Sequence, residues 1–337
     1  MSKLTVIISQ SQSKHPARRE LEENLAAALL MESDIDVSVI SHLYDITSDH
    51  TAMLYLSSLT GDVVLLSWLY PRAAHWMLDR NGIKGKIGET ELKEEDDDED
   101  EFDDETGDEE SEAIGAFDVP DRYIYSLDLR NFDRHEVYLD EIRRISEECK
   151  ERQKSTPAPA VQQTFVAADS LLNSTPQVET APVQEFLDPT KRRWYPVIDF
   201  GRCTNCMECI DFCLFGVYGV DNIDRILVES PDNCRKGCPA CSRVCPEHAI
   251  IFPEYKTPAI AGANVGGLAG LKIDLSKLFG GGDSIDIAAS ERDVELVKAG
   301  RDLVGLSVGI PKRQSDKSEE PKDDLDNLID ALDDLDI

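Results

Sequence analysis

Basic side chains are in short supply: 35 lysines and arginines stand against 67 aspartates and glutamates, a formal net charge of −32. Nucleic acids and anionic membranes are bound through clustered Lys and Arg, so this deficit argues against both as partners. A protein partner with a basic docking surface suits the chain better. No apolar run approaches the roughly twenty residues of a membrane span. The opening residues Met1-Ser2-Lys3-Leu4-Thr5-Val6 lack the charged region and long apolar stretch of a secretory leader, which makes the cytoplasm the expected compartment. Also missing are G-x-G-x-x-G and G-x-x-x-x-G-K-[ST], which argues against a dinucleotide or P-loop nucleotide.

The acidity is concentrated. From Glu89 to Glu112 there are 17 carboxylates and one lysine, and from Asp316 to Ile337 there are 10 carboxylates and two lysines. The rest is an ordinary, mildly acidic surface. With almost no apolar content, residues 89–116 cannot bury a core and are expected to form a disordered insert.

Cysteine is where the chain is rich. Eight of the nine lie between Cys203 and Cys245 in two runs of four. The first is Cys203-x-x-Cys206-x-x-Cys209-x-x-x-Cys213. The second is Cys234-x-x-x-Cys238-x-x-Cys241-x-x-x-Cys245, followed directly by Pro246. A cubane cluster needs four thiolates at its iron corners. Three closely spaced cysteines wrap three corners, and the fourth comes from elsewhere. Two facing runs can each lend their last cysteine to the other. The spacing therefore points to two [4Fe–4S] clusters and to electron transfer. Structural zinc prefers two separated Cys pairs, and a disulfide framework needs an oxidising compartment. Cys149 stands apart on a charged helix and reads as incidental.

With these runs, residues 194–253 resemble a bacterial-type two-cluster ferredoxin domain, a small α+β pseudo-duplicate. The resemblance implies that Cys203, Cys206, Cys209 and Cys245 hold one cluster, and Cys213, Cys234, Cys238 and Cys241 the other. Val197-Ile198-Asp199 and Ala249-Ile250-Ile251-Phe252 read as its matching strands. Two departures stand out. Leu214 follows Cys213 where the family has proline, and three residues separate Cys234 from Cys238 where two are usual. Gly237 supplies backbone freedom for the extra residue.

Residues 1–153 read as a separate α/β domain. Leu4–Ile8, Asp36–Ile40, Asp62–Leu66 and Arg122–Leu129 are strand patterns alternating with helices from Pro16, over Asp49–Leu59, Arg72–Leu78 and Val137–Arg152. This predicts a four-stranded parallel sheet of flavodoxin-like or Rossmann-like order, covered on both faces. Ligands bind such sheets at the carboxyl ends of the strands. There His42, Asp45 and Arg72 are candidate site residues, and His75 invites the same reading, although a lone histidine in a βα loop is more often structural. Trp68, Tyr70 and Trp76 are expected to pack between helix and sheet.

Residues 154–190, rich in Pro, Ala, Gln, Ser and Thr, read as a flexible linker. Residues 191–256 form the cluster domain and 257–310 a Gly-rich arm with a helix from an N-cap at Ser290 to about Val304. Residues 311–337 are an acidic tail whose Leu325, Leu328, Ile329, Leu332 and Leu335 form one apolar helical stripe suited to a partner or to the chain itself. The expected function is that of an electron carrier rather than a stand-alone enzyme. The alternatives are a redox subunit whose α/β domain binds a substrate or cofactor, and a non-catalytic adaptor with structural clusters.

Overall fold

The computed structural model describes residues 3–92, 113–155, 183–263 and 284–305. The tail at 311–337, most of the acidic insert, most of the 154–190 linker and the glycine-rich stretch up to 283 lie outside the described residues. Two compact units result. One comprises 1–111, 115–193 and 251–267; the other 112–114, 194–250 and 268–337. The stretch 251–267, expected to belong to the cluster domain and the arm, thus belongs to the first unit.

The first unit is a parallel sheet with helices. Its strands are β1 (Leu4–Ser9), β2 (Ile35–Ile40), β3 (Val63–Ser67), β4 (Lys86–Ile87), β5 (Tyr123–Asp128) and β6 (Gln184–Phe186). They lie in the order β4-β5-β3-β1-β2-β6, every pair parallel. The sheet has six strands where four were expected. The four expected ones are β1, β2, β3 and β5. Numbered among themselves they run 2-1-3-4, the flavodoxin-like order, with the reversal at β1 and β3.

All five residues of β3 are buried, and Ile7, Ile8 and Val64 have no exposed surface, as a sheet covered on both faces requires. α1 (Pro16–Leu30) starts on its proline and buries Leu21, Leu25 and Leu29 at helical spacing. α2 (Thr51–Ser58) is capped by His50, whose Nδ1 accepts the Ala52 N–H at 3.1 Å. α3 (Pro71–Arg80) and α4 (His135–Ser155) complete the cover.

The two added strands are short edges. β6 lies inside the expected linker and has one apolar residue, Phe186. Its ring stacks on Tyr55 at 4.5 Å, and its carbonyl accepts the Ser41 N–H. β4 is two exposed residues between Gly85 and Gly88. Trp76 is buried as expected. Trp68 and Tyr70 are half-buried and instead carry arginines, Arg18 at 4.5 Å and Arg130 at 3.8 Å from their rings.

The second unit is built from very short pieces. These are β7 (Val197–Ile198), α5 (Glu208–Phe212), β8 (Tyr218–Val220), β9 (Ile226–Val228), α6 (Ala240–Val244) and β10 (Ile250–Ile251). The succession β-α-β is made twice. β8 and β9 pair antiparallel, Tyr218 opposite Val228, and β7 pairs with β10. In the first unit, a one-turn α7 (Pro258–Ala261) follows β10. Back in the second unit, α8 (Ser284–Lys298) packs on α6, where Ala288 joins a core of Phe212, Ala240 and Val244. α8 begins six residues before Ser290, which is therefore inside the helix and not its cap. It ends at Lys298 because Gly300 takes a left-handed conformation (φ 73°), with the Arg301 N–H closing on the Leu296 carbonyl.

Candidate metal centre

The first cysteine run starts at a turn built on Asp199, whose carboxylate accepts the Gly201 N–H and whose carbonyl accepts the Cys203 N–H, both at 2.9 Å. Asn205 and Met207 then adopt left-handed backbone conformations (φ 57° and 63°). The Asn205 side chain holds this loop against β9, donating to the Asp224 carbonyl at 2.8 Å and accepting the Ile226 N–H at 2.9 Å. Cys209 lies in α5, and Cys213 ends it. In the second run Cys234 follows a tight turn at Pro231–Asn233, Cys241 lies in α6 and Cys245 ends that helix. Gly237, at φ 86°, takes up the extra residue between Cys234 and Cys238 in a conformation that costs a glycine little.

These loops surround two cavities. One is lined by Cys213, Cys234, Cys238 and Cys241, with Phe212, Phe215, Tyr218 and Arg292 among its other walls. The second is lined by Cys203, Cys206, Cys209 and Cys245, with Met207, Glu208, Ile226 and Glu247. Each run contributes its first three cysteines to one cavity and its last to the other. Among the described residues, no three His, Cys, Asp or Glu side chains converge closely enough to hold a single metal ion. The sulfurs are spread around the two cavities.

The surroundings fit thiolate ligands of such a cluster. Burial pushes the thiols of Cys238 and Cys245 up to about 11, and those of Cys209 and Cys241 well above the ordinary range. Without a metal these thiols keep their protons; a metal would displace them, which couples binding to folding. Donors already point at sulfur. The Ala249 N–H lies 3.3 Å from Cys245 Sγ and the Tyr218 hydroxyl 3.1 Å from Cys241 Sγ. The N–H groups of Phe215, Gly216 and Val217 favour the Cys213 thiolate. Such hydrogen bonds orient ligands and stabilise charge on them.

Cys149 belongs to the other unit. It is buried in the first unit's core on α4, accepts a hydrogen bond from Arg152 at 3.2 Å, and its thiol is pushed up to about 11 by burial. Of the strand-end candidates, the structure joins His42 and Asp45. Gln12 donates to Asp45 Oδ2 at 2.8 Å and lies 3.3 Å from His42 Nδ1, while Glu254 Oε1 is 3.5 Å from His42 Nε2. Arg72 and His75 are buried on α3, His75 edge-on to Trp76. Three contributors at the cysteine cavities escape a reading of spacing alone: Tyr218, Asn205 and Arg292. Tyr218 and Asn205 lie within or beside the runs, whereas Arg292 comes from a separate helix.

A stretch of 66 residues, 19% of this chain, is 50% identical to an uncharacterized ferredoxin of Methanocaldococcus jannaschii. The match takes in 44% of that protein, so the chain spans less than half of this relative's length. No family model and no solved structure matches the chain. The likeness marks a ferredoxin-like region within it.

Proposed function

We propose that this chain is an iron–sulfur electron-transfer protein of ferredoxin type, with a two-cluster domain joined to an α/β unit. Cys203, Cys206, Cys209 and Cys245 would hold one [4Fe–4S] cluster, and Cys213, Cys234, Cys238 and Cys241 the other. The observation that carries this reading is the sorting of eight cysteines into two separate four-cysteine cavities. Each bound cluster supplies a one-electron couple. The chain's own work is to keep water from the sulfurs and to aim donors at them. The Tyr218 hydroxyl and the Ala249 N–H do so, easing the added negative charge of reduction. The acidic surface favours a redox partner that presents a basic face.

Anaerobically purified protein should carry about eight iron and eight acid-labile sulfide per chain, and dithionite should give EPR signals of two spin-coupled centres. Zinc with almost no sulfide would sink the reading. About four iron would restrict it to one cavity.

A second reading, a redox subunit whose α/β unit binds a small molecule, is favoured by one feature. The strand order reverses at β1 and β3, where such sheets bind ligands.

A further inference from the structure

The two four-cysteine cavities are not electrostatically alike. The cavity of Cys213, Cys234, Cys238 and Cys241 has one charged side chain in its wall, Arg292. The cavity of Cys203, Cys206, Cys209 and Cys245 counts Glu208 and Glu247 among its lining residues and no cation. We propose that Arg292 sets the two centres apart, making the one at Cys213, Cys234, Cys238 and Cys241 the more easily reduced and giving internal electron flow a direction. This rests on the two-cluster reading above.

Arg292 is supplied by α8, outside the cysteine-bearing segment. It is only 1% exposed. Its guanidinium lies 4.4 Å from the ring centroid of Phe212, the residue before Cys213, and donates to the Phe212 carbonyl at 3.4 Å and to the Gly305 carbonyl at 2.6 Å. Arginine keeps its charge at any ordinary pH, and a charge removed from water acts on its neighbours with little screening.

Carboxylates on α8 oppose this, and their placement decides the outcome. Asp293 accepts from Arg292 Nε at 3.2 Å and from the Gly305 N–H at 2.7 Å. Glu291 is paired with Arg243 at 2.9 Å, and Glu295 with Lys298 at 2.5 Å. None of the three lines the cavity. Arg292 is thus the one charged residue in the wall of this cavity, while Glu291 and Glu295 act on Cys238 from outside it. One electron leaving the centre at Cys203, Cys206, Cys209 and Cys245 and arriving at the other balances the step, with no proton moved and no further reactant.

The test uses the full chain, loaded anaerobically, with both midpoint potentials read by EPR-monitored redox titration and iron and sulfide counted for each variant. The unsubstituted chain should show two distinct potentials. In Arg292→Gln the higher potential alone should fall, lowering the equilibrium constant for electron sharing between the centres about tenfold, or 59 mV for a one-electron couple. Arg292→Lys, which keeps the charge, should preserve the split. Glu247→Gln should raise the lower potential alone. A single potential in the unsubstituted chain overturns the proposal. So does an Arg292→Gln that keeps its iron and moves both potentials or neither. If Arg292→Gln does not retain its iron, Glu247→Gln decides: a rise confined to the lower potential upholds the asymmetry, and no change overturns it. Fewer than eight irons in the unsubstituted chain brings down the two-cluster reading itself, whereas eight irons with insensitive potentials bring down this inference alone.

Discussion

His42 is held as a neutral imidazole. Burial, and after it the Arg192 guanidinium, lowers its pKa from 6.5 to about 4. Asp45 and Glu254 stand close enough to favour the cation, but burial pushes both of these carboxyls up toward their neutral forms. The signs follow from proton counts. Between pH 6.5 and 4 the unfolded chain binds a proton at this histidine that the folded chain refuses, so the stability His42 contributes is complete above about pH 6.5 and is lost as the pH falls toward 4. Asp45 and Glu254 act oppositely, because their folded forms take up protons first. Substitution separates the two effects. His42→Asn should remove the histidine's share, so that the stability difference between wild type and variant changes by at most about 3 kcal/mol across that range. Urea unfolding of both proteins at a series of pH values measures it. A difference that stays constant from pH 7 to pH 4 would show that His42 does not titrate as its burial demands.

The elements most legible in the sequence are those whose burial is continuous. β1, β2, β3 and β5 announce themselves as β-branched apolar runs because both faces of a parallel sheet are covered. β4 and β6 carry no such signal. β6 is held by its pairing with β2 and one stacked ring, and β4 by bonds that include the Lys86 N–H to the Arg122 carbonyl at 2.8 Å and the Gly88 N–H to the Ile124 carbonyl at 2.9 Å. Nor did apolar spacing locate the end of α8, where the glycine at 300 overrode Leu303 and Val304. At the cysteine cavities the grouping of the eight cysteines was readable from their spacing, while Arg292 was not, because only folding brings α8 there.

The β4 edge makes this testable. A Cβ placed on Gly88 would meet the Tyr125 ring at 2.3 Å, and Tyr125 is completely buried. At Gly61 a Cβ would meet nothing within 4 Å. Gly88→Ala should cost about 1–3 kcal/mol through overpacking. Gly61→Ala should be neutral or stabilise by a few tenths of a kcal/mol to about 1 through the unfolded chain. Denaturation midpoints of the two variants measure the contrast, and equal midpoints would mean that the Gly88 approach to Tyr125 is not held in solution.

On the scale of the whole molecule, the two units rest on different kinds of bond. The first has an extended sheet whose β1 and β3 are buried almost throughout, with α1 and α4 packed on it, and such a core needs no metal. The second has strands of two or three residues and cysteine-bearing helices of five, arranged around two voids. One of its apolar clusters joins Phe212, Cys238, Ala240, Val244 and Ala288, and domains of such short elements borrow stability from what they bind. Stripping the iron should therefore unfold the units separately. Hydrogen exchange followed by mass spectrometry should show amides from 197 to 250 losing protection on iron removal, while β1, β3 and β5 keep theirs. α8 should follow the second unit, because its Ala288 is buried in one cluster with Ala240 and Val244 of α6. If α8 and the cysteine loops stayed protected without iron, apolar packing alone would be sufficient to hold the second unit. Arg292 would then already be in place before any cluster is assembled, rather than being positioned together with it.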